Sequence, residues 1–502
     1  MAAVSVSTLI LGSRRSSVAF VSAIFALSRA IYYSLGVRFD AAPRQTFWQA
    51  IDPALLRDAP WQSLLYLRTQ LPGFNAYLAI ITHVFPRHTT AAFQASYLAL
   101  GCALTICLFL VLDRLQVARP VAVLITVICA ISPVTVLYEH WLFYEYPLAV
   151  SFCIATLFLH RYVTNQRRAD GVICFAALAS VALLRVVYHL FWFAMIAAAL
   201  VYVLPQWRRR TVLCAAAPGA LLLLIYVKSV ILFGLWMPGS DVYGGFSLAT
   251  LTSQSLSRSA LETLVAQKTI SPVLLHDFTF EDKALVDIVP IPPKTGIRIL
   301  DERVKSTGVI NMDSLWMAGI GRQLRRDGIA LLRARPDATV QGIRQNLERY
   351  FLPADVGWPF GGSPHRNQQV LSPLLRSFDL IISGHHSAHK FAFISWIMTS
   401  LVLWFGLRRS ARWVKRLMRR PYTNPRELTI VFAFGNVAYL TAVAIFYASG
   451  DQNRYLFEVF PLFAILLGSM TRIPLWRLRS FSPRLWRFAS MRDLASADSR
   501  QP

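Results

Sequence analysis

Charged residues stand at the edges of several long apolar segments of the sequence. Glu139 and Glu145 lie within "YEHWLFYEYP", the polar gap between two apolar runs. Six further polar residues lie in or beside other such gaps: Arg38, Asp40, Arg185, His189, Lys228 and Arg454. Polar side chains at membrane depth cost free energy, so they usually mark a functional site or a paired charge. These eight residues are therefore the candidates for chemistry.

This mixture of side chains suits a lipid phosphate and a sugar. An arginine offers two parallel hydrogen bonds to a phosphate, and a lysine offers a point charge. A carboxylate beside them could take the proton of an attacking hydroxyl or amine, which contributes roughly 10²–10⁴-fold in rate. A divalent cation, Mg²⁺ or Mn²⁺, could bridge a carboxylate and a phosphate, but the spacing of the residues assigns no metal ligand.

Several candidates also have a simpler explanation. Arg185 and Lys228 could extend their charges to lipid headgroups instead of lining a site. Glu139 and Glu145 are six residues apart, so they do not share a helical face by simple i, i+4 spacing. Asp52 precedes a proline, which favours a helix N-cap over a chemical role.

Composition identifies the class of protein that holds these residues. Of the 502 residues, 55% are hydrophobic and only 15% are charged, with a mean hydropathy of +0.46. Soluble domains have about 25% charged residues. Apolar runs of about 17–25 residues recur, which is long enough to cross a bilayer as helices. The net charge of +25 is better explained by basic cytoplasmic loops that meet membrane lipids than by nucleic acid, for which no binding is expected.

The apolar runs predict an all-α polytopic membrane protein with about ten transmembrane helices. They lie at about 18–36, 91–112, 120–137, 147–164, 171–186, 188–204, 211–233, 391–407, 427–447 and 455–471. With both termini in the cytoplasm, every inner loop is basic, as the positive-inside rule requires. All eight candidates then lie at the outer face.

Four parts of the chain follow from this topology. They are an N-terminal transmembrane module at 1–233 with an amphipathic first outer loop at 37–90, an outer region of short helices and loops at 234–390, a C-terminal transmembrane module at 391–472, and a basic cytoplasmic tail at 473–502.

The order of these parts resembles a known class of enzymes. A first helix, a long outer loop with an early acid, and the segments "TQLPGFN", "LLRVVYHLFW", "VKSVILFG" and "DQNRYLFEVFPL" are similar to GT-C membrane glycosyltransferases, among them protein O-mannosyltransferases and lipid A aminoarabinose transferases. The resemblance implies a multi-pass protein of the bacterial inner membrane that transfers a sugar, with inversion, from a polyprenyl-phosphate donor to a lipid, glycan or protein acceptor at the outer face. The essential acid of the class matches Asp40. Some branches have two adjacent acids where this sequence has one, which bears on metal dependence.

The main hypothesis is therefore a GT-C glycosyltransferase in which Asp40 is the catalytic acid–base residue. Arg185, Lys228 and Arg454 would bind the donor phosphate. Arg38 and His189 would contact substrate, and Glu139 or Glu145 would orient the sugar or the acceptor. The alternatives are a transporter or flippase of lipid-linked saccharides and a non-catalytic assembly component. A transporter of this kind often has an internal repeat and polar residues near the midplane, whereas these candidates cluster at one face.

Overall fold

The structure is a computed structural model that describes residues 13–276, 283–356, 360, 366–382, 384, 392–419, 424–447, 450 and 452–471. These residues form α-helices joined by turns and loops, with two isolated β-bridges and no sheet among them. The predicted basic tail at 473–502 lies outside the described residues, as do the first twelve.

The α-helices of the described residues are numbered in chain order. They are α1 (Arg14–Ser34), α2 (Pro43–Thr46), α3 (Pro53–Asp58), α4 (Pro60–Leu65), α5 (Gly73–Val84), α6 (Thr89–Arg114), α7 (Arg119–Ile131), α8 (Pro133–Glu139), α9 (Glu145–Asn165), α10 (Arg168–Leu184), α11 (Leu190–Val203), α12 (Arg208–Phe233), α13 (Tyr243–Ser253), α14 (Arg258–Ala266), α15 (Lys283–Ile288), α16 (Arg298–Asp301), α17 (Leu315–Ala334), α18 (Pro336–Tyr350), α19 (Arg366–Ile382), α20 (Phe393–Arg419), α21 (Pro425–Phe446), α22 (Gln452–Glu458) and α23 (Phe460–Met470). Two 3-10 turns lie at Pro205–Trp207 and Pro272–Leu275.

The chain is a multi-pass α-helical membrane protein, as the apolar runs predict. Each of the ten predicted segments corresponds to a helix or to two consecutive helices. The count of about ten spans is not confirmed. Five described helices are long and apolar enough to cross a membrane by themselves, or six if α7 and α8 form one bent span. The reason is that two predicted segments are broken, α10 and α11 are short, and α20 is long but has a strongly basic second half.

Burial separates the centre of the bundle from its edge. In α9, 67% of the most apolar stretch is buried, and α9 packs against α6, α10 and α21. In α12 the corresponding share is 17%. An apolar helix that is covered on all sides lies inside a bundle, whereas one that is bare on most of its surface is suited to lipid. Helix α9 is therefore the central element, and the "YEHWLFYEYP" loop leads directly into it.

A proline breaks the segment that precedes this loop. Pro133 begins α8 and has no N–H to continue the hydrogen bonds of α7, and the residue before it is extended. The axes of α7 and α8 differ by 54°. The carbonyls of Ala130 and Ile131 accept hydrogen bonds from Arg29 and Tyr32 of α1 instead. The carbonyls freed by the break are thus hydrogen-bonded by a neighbouring helix, as the absence of water within a membrane requires.

The first outer loop and the outer region consist of short helices. In the loop, α2, α3 and α4 each have a proline in the first turn, and Asp52 caps α3 by accepting a hydrogen bond from the N–H of Ala54, which confirms the predicted N-cap. The outer region has its own small hydrophobic core, in which α13 crosses α17. The helices approach closely there because Gly245 has no side chain, and a Cβ at this position would overlap the backbone carbonyl of Gly321. The boundaries at 233 and 390 remain predictions.

Candidate active site

A cavity of about 290 Å³ lies where the first outer loop, the outer region and two ends of the bundle meet. We call it the site cavity. It is lined by Trp48, Gln49, Gln70, Tyr144, Arg185, Val186, Val187, Tyr243, Phe246, Ser247, Met312, Tyr447, Gly450, Arg454 and Tyr455. The lining combines two guanidinium groups, side-chain amides and five Trp or Tyr rings.

Arg185 enters the site cavity because α10 ends at the preceding residue. Its backbone is extended, so its side chain leaves the helix and meets the end of α22. The guanidinium forms a buried ion pair with Glu458. It also stacks on the ring of Tyr455, with 4.0 Å from its central carbon to the ring centroid, and lies 5.6 Å from the ring of Tyr144. Cation–π contacts of this kind strengthen where water is excluded.

Arg454 enters the same cavity from α22. Its Nη1 lies 2.9 Å from Oε1 of Glu145, and both side chains are buried. Glu145 is the first residue of α9, where the positive end of the helix dipole favours a carboxylate. The central helix of the bundle therefore holds Arg454 in place through its N-terminal residue.

Each arginine of the cavity thus forms an ion pair with a buried carboxylate. Two buried cations close together would be costly, and the glutamates Glu145 and Glu458 offset that cost. A phosphate group could take hydrogen bonds from the guanidinium edges of Arg185 and Arg454, and aromatic faces could pack against a sugar ring. The arrangement is chemically suited to a phosphate ester of a sugar.

The wall that carries Trp48 and Gln49 is fastened by a buried lysine of the outer region. The Nζ of Lys305 donates hydrogen bonds to the carbonyls of Phe47, at 2.8 Å, and Ala50, at 2.6 Å. Burial lowers the pKa of Lys305 to about 8, against the opposing effect of nearby acids, so the ammonium remains charged at neutral pH. The outer region therefore sets the position of this part of the first outer loop.

A neighbouring contact fastens the same loop at Asp52. This carboxylate accepts hydrogen bonds from the backbone N–H and hydroxyl of Ser306. Burial by itself would raise the pKa of Asp52, but these bonds and the one from Ala54 bring it below its ordinary value. Asp52 therefore remains ionised and joins the two parts of the chain.

A second buried cluster positions Gln70. Asp313 accepts hydrogen bonds from the backbone N–H groups of Arg68 and Thr69 and from the Thr69 hydroxyl. The Arg68 guanidinium forms an ion pair with Asp241. These bonds join the "TQLPGFN" segment to the outer region immediately before Gln70.

Asp40 lies beside the "YEHWLFYEYP" loop. Its N–H donates to the carbonyl of His140, and its carbonyl accepts from the N–H of Leu142, at 2.8 and 2.9 Å. The carboxylate accepts a hydrogen bond from the N–H of Ala42, also at 2.8 Å, and the residue is half-buried. Asp40 is not among the residues that line the site cavity, although Tyr144, two residues after Leu142, is. Its catalytic role stays a prediction.

Arg38 contacts the end of α1. Its guanidinium donates to the carbonyls of Tyr33 and Val37 and stacks on the Tyr33 ring at 3.8 Å. Its backbone N–H donates to the side chain of Asn367 in α19. These contacts turn the charge of Arg38 toward α1, and it does not line the site cavity.

Glu139 is bound within the bundle. Its two carboxylate oxygens accept hydrogen bonds from Nε and Nη2 of Arg29, at 2.7 and 2.6 Å, and the Tyr146 hydroxyl donates to it at 2.6 Å. All three side chains are buried. The structure therefore separates Glu139 from Glu145, which pairs with Arg454 at the site cavity.

Lys228 and His189 lie outside the cavity lining. The Nζ of Lys228 donates to the carbonyl of Leu67, at 2.7 Å, in the segment just before Arg68. His189 precedes α11, and its ring lies 5.9 Å from that of Phe191. Of the eight predicted residues, the structure brings Arg185, Arg454 and Glu145 together. A substrate contact for the others remains a prediction.

The eight predicted residues do not include several of their partners, among them Arg29, Tyr144, Tyr455 and Glu458. Glu458 follows Arg454 by four residues, and Arg29 is an arginine inside the first apolar run, so both had a signal in the sequence. Tyr144 had the weaker signal of lying among the aromatic residues of "YEHWLFYEYP", and Tyr455 had none, because aromatic residues are common at membrane interfaces. Among the described residues, no three His, Cys, Asp or Glu side chains come together as a metal site.

No protein-family model matches the sequence, and no curated protein matches it significantly. Two solved structures match most of this chain at low identity. The oligosaccharyltransferase of Archaeoglobus fulgidus, tethered to an acceptor peptide, is 11% identical over 89% of this chain and 49% of its own, with a TM-score of 0.33. ArnT from Cupriavidus metallidurans, bound to undecaprenyl phosphate, is 13% identical over 90% of this chain and 78% of its own, with a TM-score of 0.35.

This chain spans about half the length of the oligosaccharyltransferase. At these identities and TM-scores, the likeness assigns this chain neither a family nor a substrate.

Proposed function

We propose that this protein is an integral-membrane glycosyltransferase that transfers a sugar from a polyprenyl-phosphate donor to an acceptor. One observation carries the proposal: the buried guanidinium groups of Arg185 and Arg454 line one aromatic cavity at the edge of the helical bundle. Buried cations that face a cavity suit an anionic phosphate, and the rings around them suit a sugar or a prenyl chain.

The chain's own residues would divide the reaction as follows. Arg185 and Arg454 would bind the phosphate of the donor, while Glu458 and Glu145 hold them in position. Asp40 is the proposed base: it would accept the proton of the acceptor hydroxyl as that oxygen forms a bond to the anomeric carbon. The bond from the anomeric carbon to the phosphate oxygen breaks, and polyprenyl phosphate leaves with the electron pair.

The proposed setting is the bacterial inner membrane, with both termini in the cytoplasm and the site cavity at the outer face. The distribution of basic loops supports this orientation. A reporter fused after Arg412 should then be active only as a cytoplasmic reporter, and one fused within 234–390 only as an external one. The reverse result would place the site cavity at the cytoplasmic face.

The donor class is tested by mass spectrometry of the purified protein with polyprenyl phosphate added. We expect wild type to retain the lipid and Arg185→Gln and Arg454→Gln to lose it. Arg57→Gln is the matched control, because Arg57 is also an arginine of the outer side but is exposed and paired with Asp58. Equal retention by all four proteins would contradict the proposed donor site.

The chemical step is tested by Asp40→Asn. We expect this variant to insert into the membrane and retain the lipid but to lose sugar transfer from a polyprenyl-phosphate donor. Full transfer by the variant would reject Asp40 as the base. Movement of the lipid between leaflets without transfer by wild type would favour a flippase.

A further inference from the structure

A second cavity lies at the other end of α21 from the site cavity. We call it the basal cavity. It encloses about 90 Å³, and its polar lining consists of Arg409, Asn424, Arg426, Glu427 and Ser469. Asn424 caps the start of α21, whereas Tyr447, which follows the last residue of the same helix, lines the site cavity. The two cavities therefore lie at opposite ends of one helix.

The length of α21 places the basal cavity at a headgroup region. The helix has 22 residues, which at 1.5 Å per residue is about 33 Å. The hydrocarbon core of a bilayer is about 30 Å thick. If the site cavity lies at one surface of the membrane, the basal cavity lies at the phosphate level of the opposite leaflet. This holds whichever leaflet that is, and it does not rest on the proposed glycosyl transfer.

The charges of the basal cavity favour an anion. Arg409 and Arg426 line it from two different helices, and the carboxylate of Glu427 is engaged at 2.6 Å by Arg416. The cavity also lies at the N-terminal end of a long helix, where the dipole favours negative charge. The charged groups of the lining thus give the basal cavity a net positive potential.

Further cations lie near Arg426. Arg426 and Arg114 both lie close enough to His160 to act on it electrostatically. Arg14 and Arg161 lie near Arg114 but are paired with Asp113 and Asp170, so they add little to the field of the cavity. A bilayer offers one abundant anion at this depth, the phosphate of a phospholipid, and Leu115 and Ile430 provide apolar walls next to it.

We propose that the basal cavity binds the phosphate group of an anionic phospholipid from the leaflet opposite the site cavity. Arg409 and Arg426 would hold the phosphate from two sides and so join α20 to α21. Such a lipid would be a structural ligand distinct from any donor lipid at the site cavity.

The test is a titration of phosphatidylglycerol into the full-length protein in dodecyl maltoside micelles, with bound lipid counted by native mass spectrometry. The double variant Arg409→Gln/Arg426→Gln should lose affinity about tenfold or more, since each basic residue near a lipid headgroup contributes about a factor of five. The matched control is Arg408→Gln/Arg412→Gln, which removes the same charge from exposed positions of α20. An equal loss of affinity in the control would show that the total positive charge, and not the basal cavity, determines lipid binding, and it would overturn the proposal.

A variant with the opposite sign guards against misfolding. Glu427→Gln removes the acid from the lining and releases Arg416, so it should bind phosphatidylglycerol more tightly than wild type. Damage to the fold cannot produce that result, and unchanged or weaker binding would contradict the proposal. Inorganic phosphate at the same concentration should compete poorly. If it displaces the lipid fully, the cavity is a site for free phosphate and not for a lipid.

Discussion

The buried ion pair between Arg29 and Glu139 makes the sharpest prediction about stability. The pair joins α1 to the end of α8, and both side chains are buried. Arg29 also donates to the carbonyl of Ala130, which the break between α7 and α8 leaves without a helical partner. Removing one charge of the pair leaves the other buried and uncompensated.

The expected magnitudes follow from these contacts. Glu139→Gln keeps the volume beside Gly101 but leaves the guanidinium unpaired, which should lower the free energy of unfolding by about 3–5 kcal/mol. Arg29→Met leaves the carboxylate unpaired and should lower it by a similar amount, plus about 1–3 kcal/mol for the unsatisfied carbonyl of Ala130. The double variant has no buried charge, so it should be less destabilised than the sum of the single variants by about 3 kcal/mol or more.

The assay is equilibrium unfolding of the full-length protein in mixed micelles, followed by tryptophan fluorescence. The matched control is the exposed pair Arg57–Asp58, in which Arg57→Met and Asp58→Asn should each leave the free energy of unfolding nearly unchanged because water screens the pair. The reasoning is refuted if the single variants at 29 and 139 behave like those control variants, or if their effects simply add in the double variant. A loss of substrate affinity in Glu139→Gln that Arg29→Met does not share would instead support the predicted substrate contact of Glu139.

Three further predictions concern the outer region. Gly245→Ala should destabilise the packing of α13 on α17 by about 1–3 kcal/mol, because its Cβ would overlap a backbone carbonyl, whereas Gly244→Ala next to it should be tolerated; limited proteolysis distinguishes them. Burial raises the pKa of both carboxyls of the neighbouring residues Asp355 and Asp379, to about 6 and about 8. The protonated carboxyls therefore stabilise the fold at acid pH, and this stability is lost as pH rises through the raised pKa values, so the melting temperature should fall from pH 5 to pH 9 in wild type and much less in Asp379→Asn. Lys305→Met should leave the carbonyls at 47–50 without a donor and so weaken ligand binding at the site cavity, and a ligand titration that matches wild type would contradict this.

Much of the helical framework could be predicted from the sequence. Apolar runs located a helix or a helix pair at each of the ten expected segments, and the proline after Asp52 correctly indicated an N-cap. The number of spans could not be predicted in the same way. Hydropathy does not register a break such as the one at Pro133, because the residues on both sides of it remain apolar.

The candidate site was predicted only as a set of residues at one face. Arg185, Arg454 and Glu145 do come together, whereas Glu139 pairs with Arg29, which is 110 residues away in the sequence. Nothing in the spacing of these residues says which acid meets which arginine. The partner of each charge is set by how α1, α8, α9 and α22 pack.

The order of residues along the chain is enough to predict a helical membrane protein. The free energy of moving a segment into lipid is nearly a sum over its own residues, so it can be read along the chain. Which charged residues face a cavity and which form buried ion pairs becomes visible only when the helices are packed together. That choice depends on a few ångströms between side chains of distant segments, because the energy of a buried charge is set by the partner within hydrogen-bond distance.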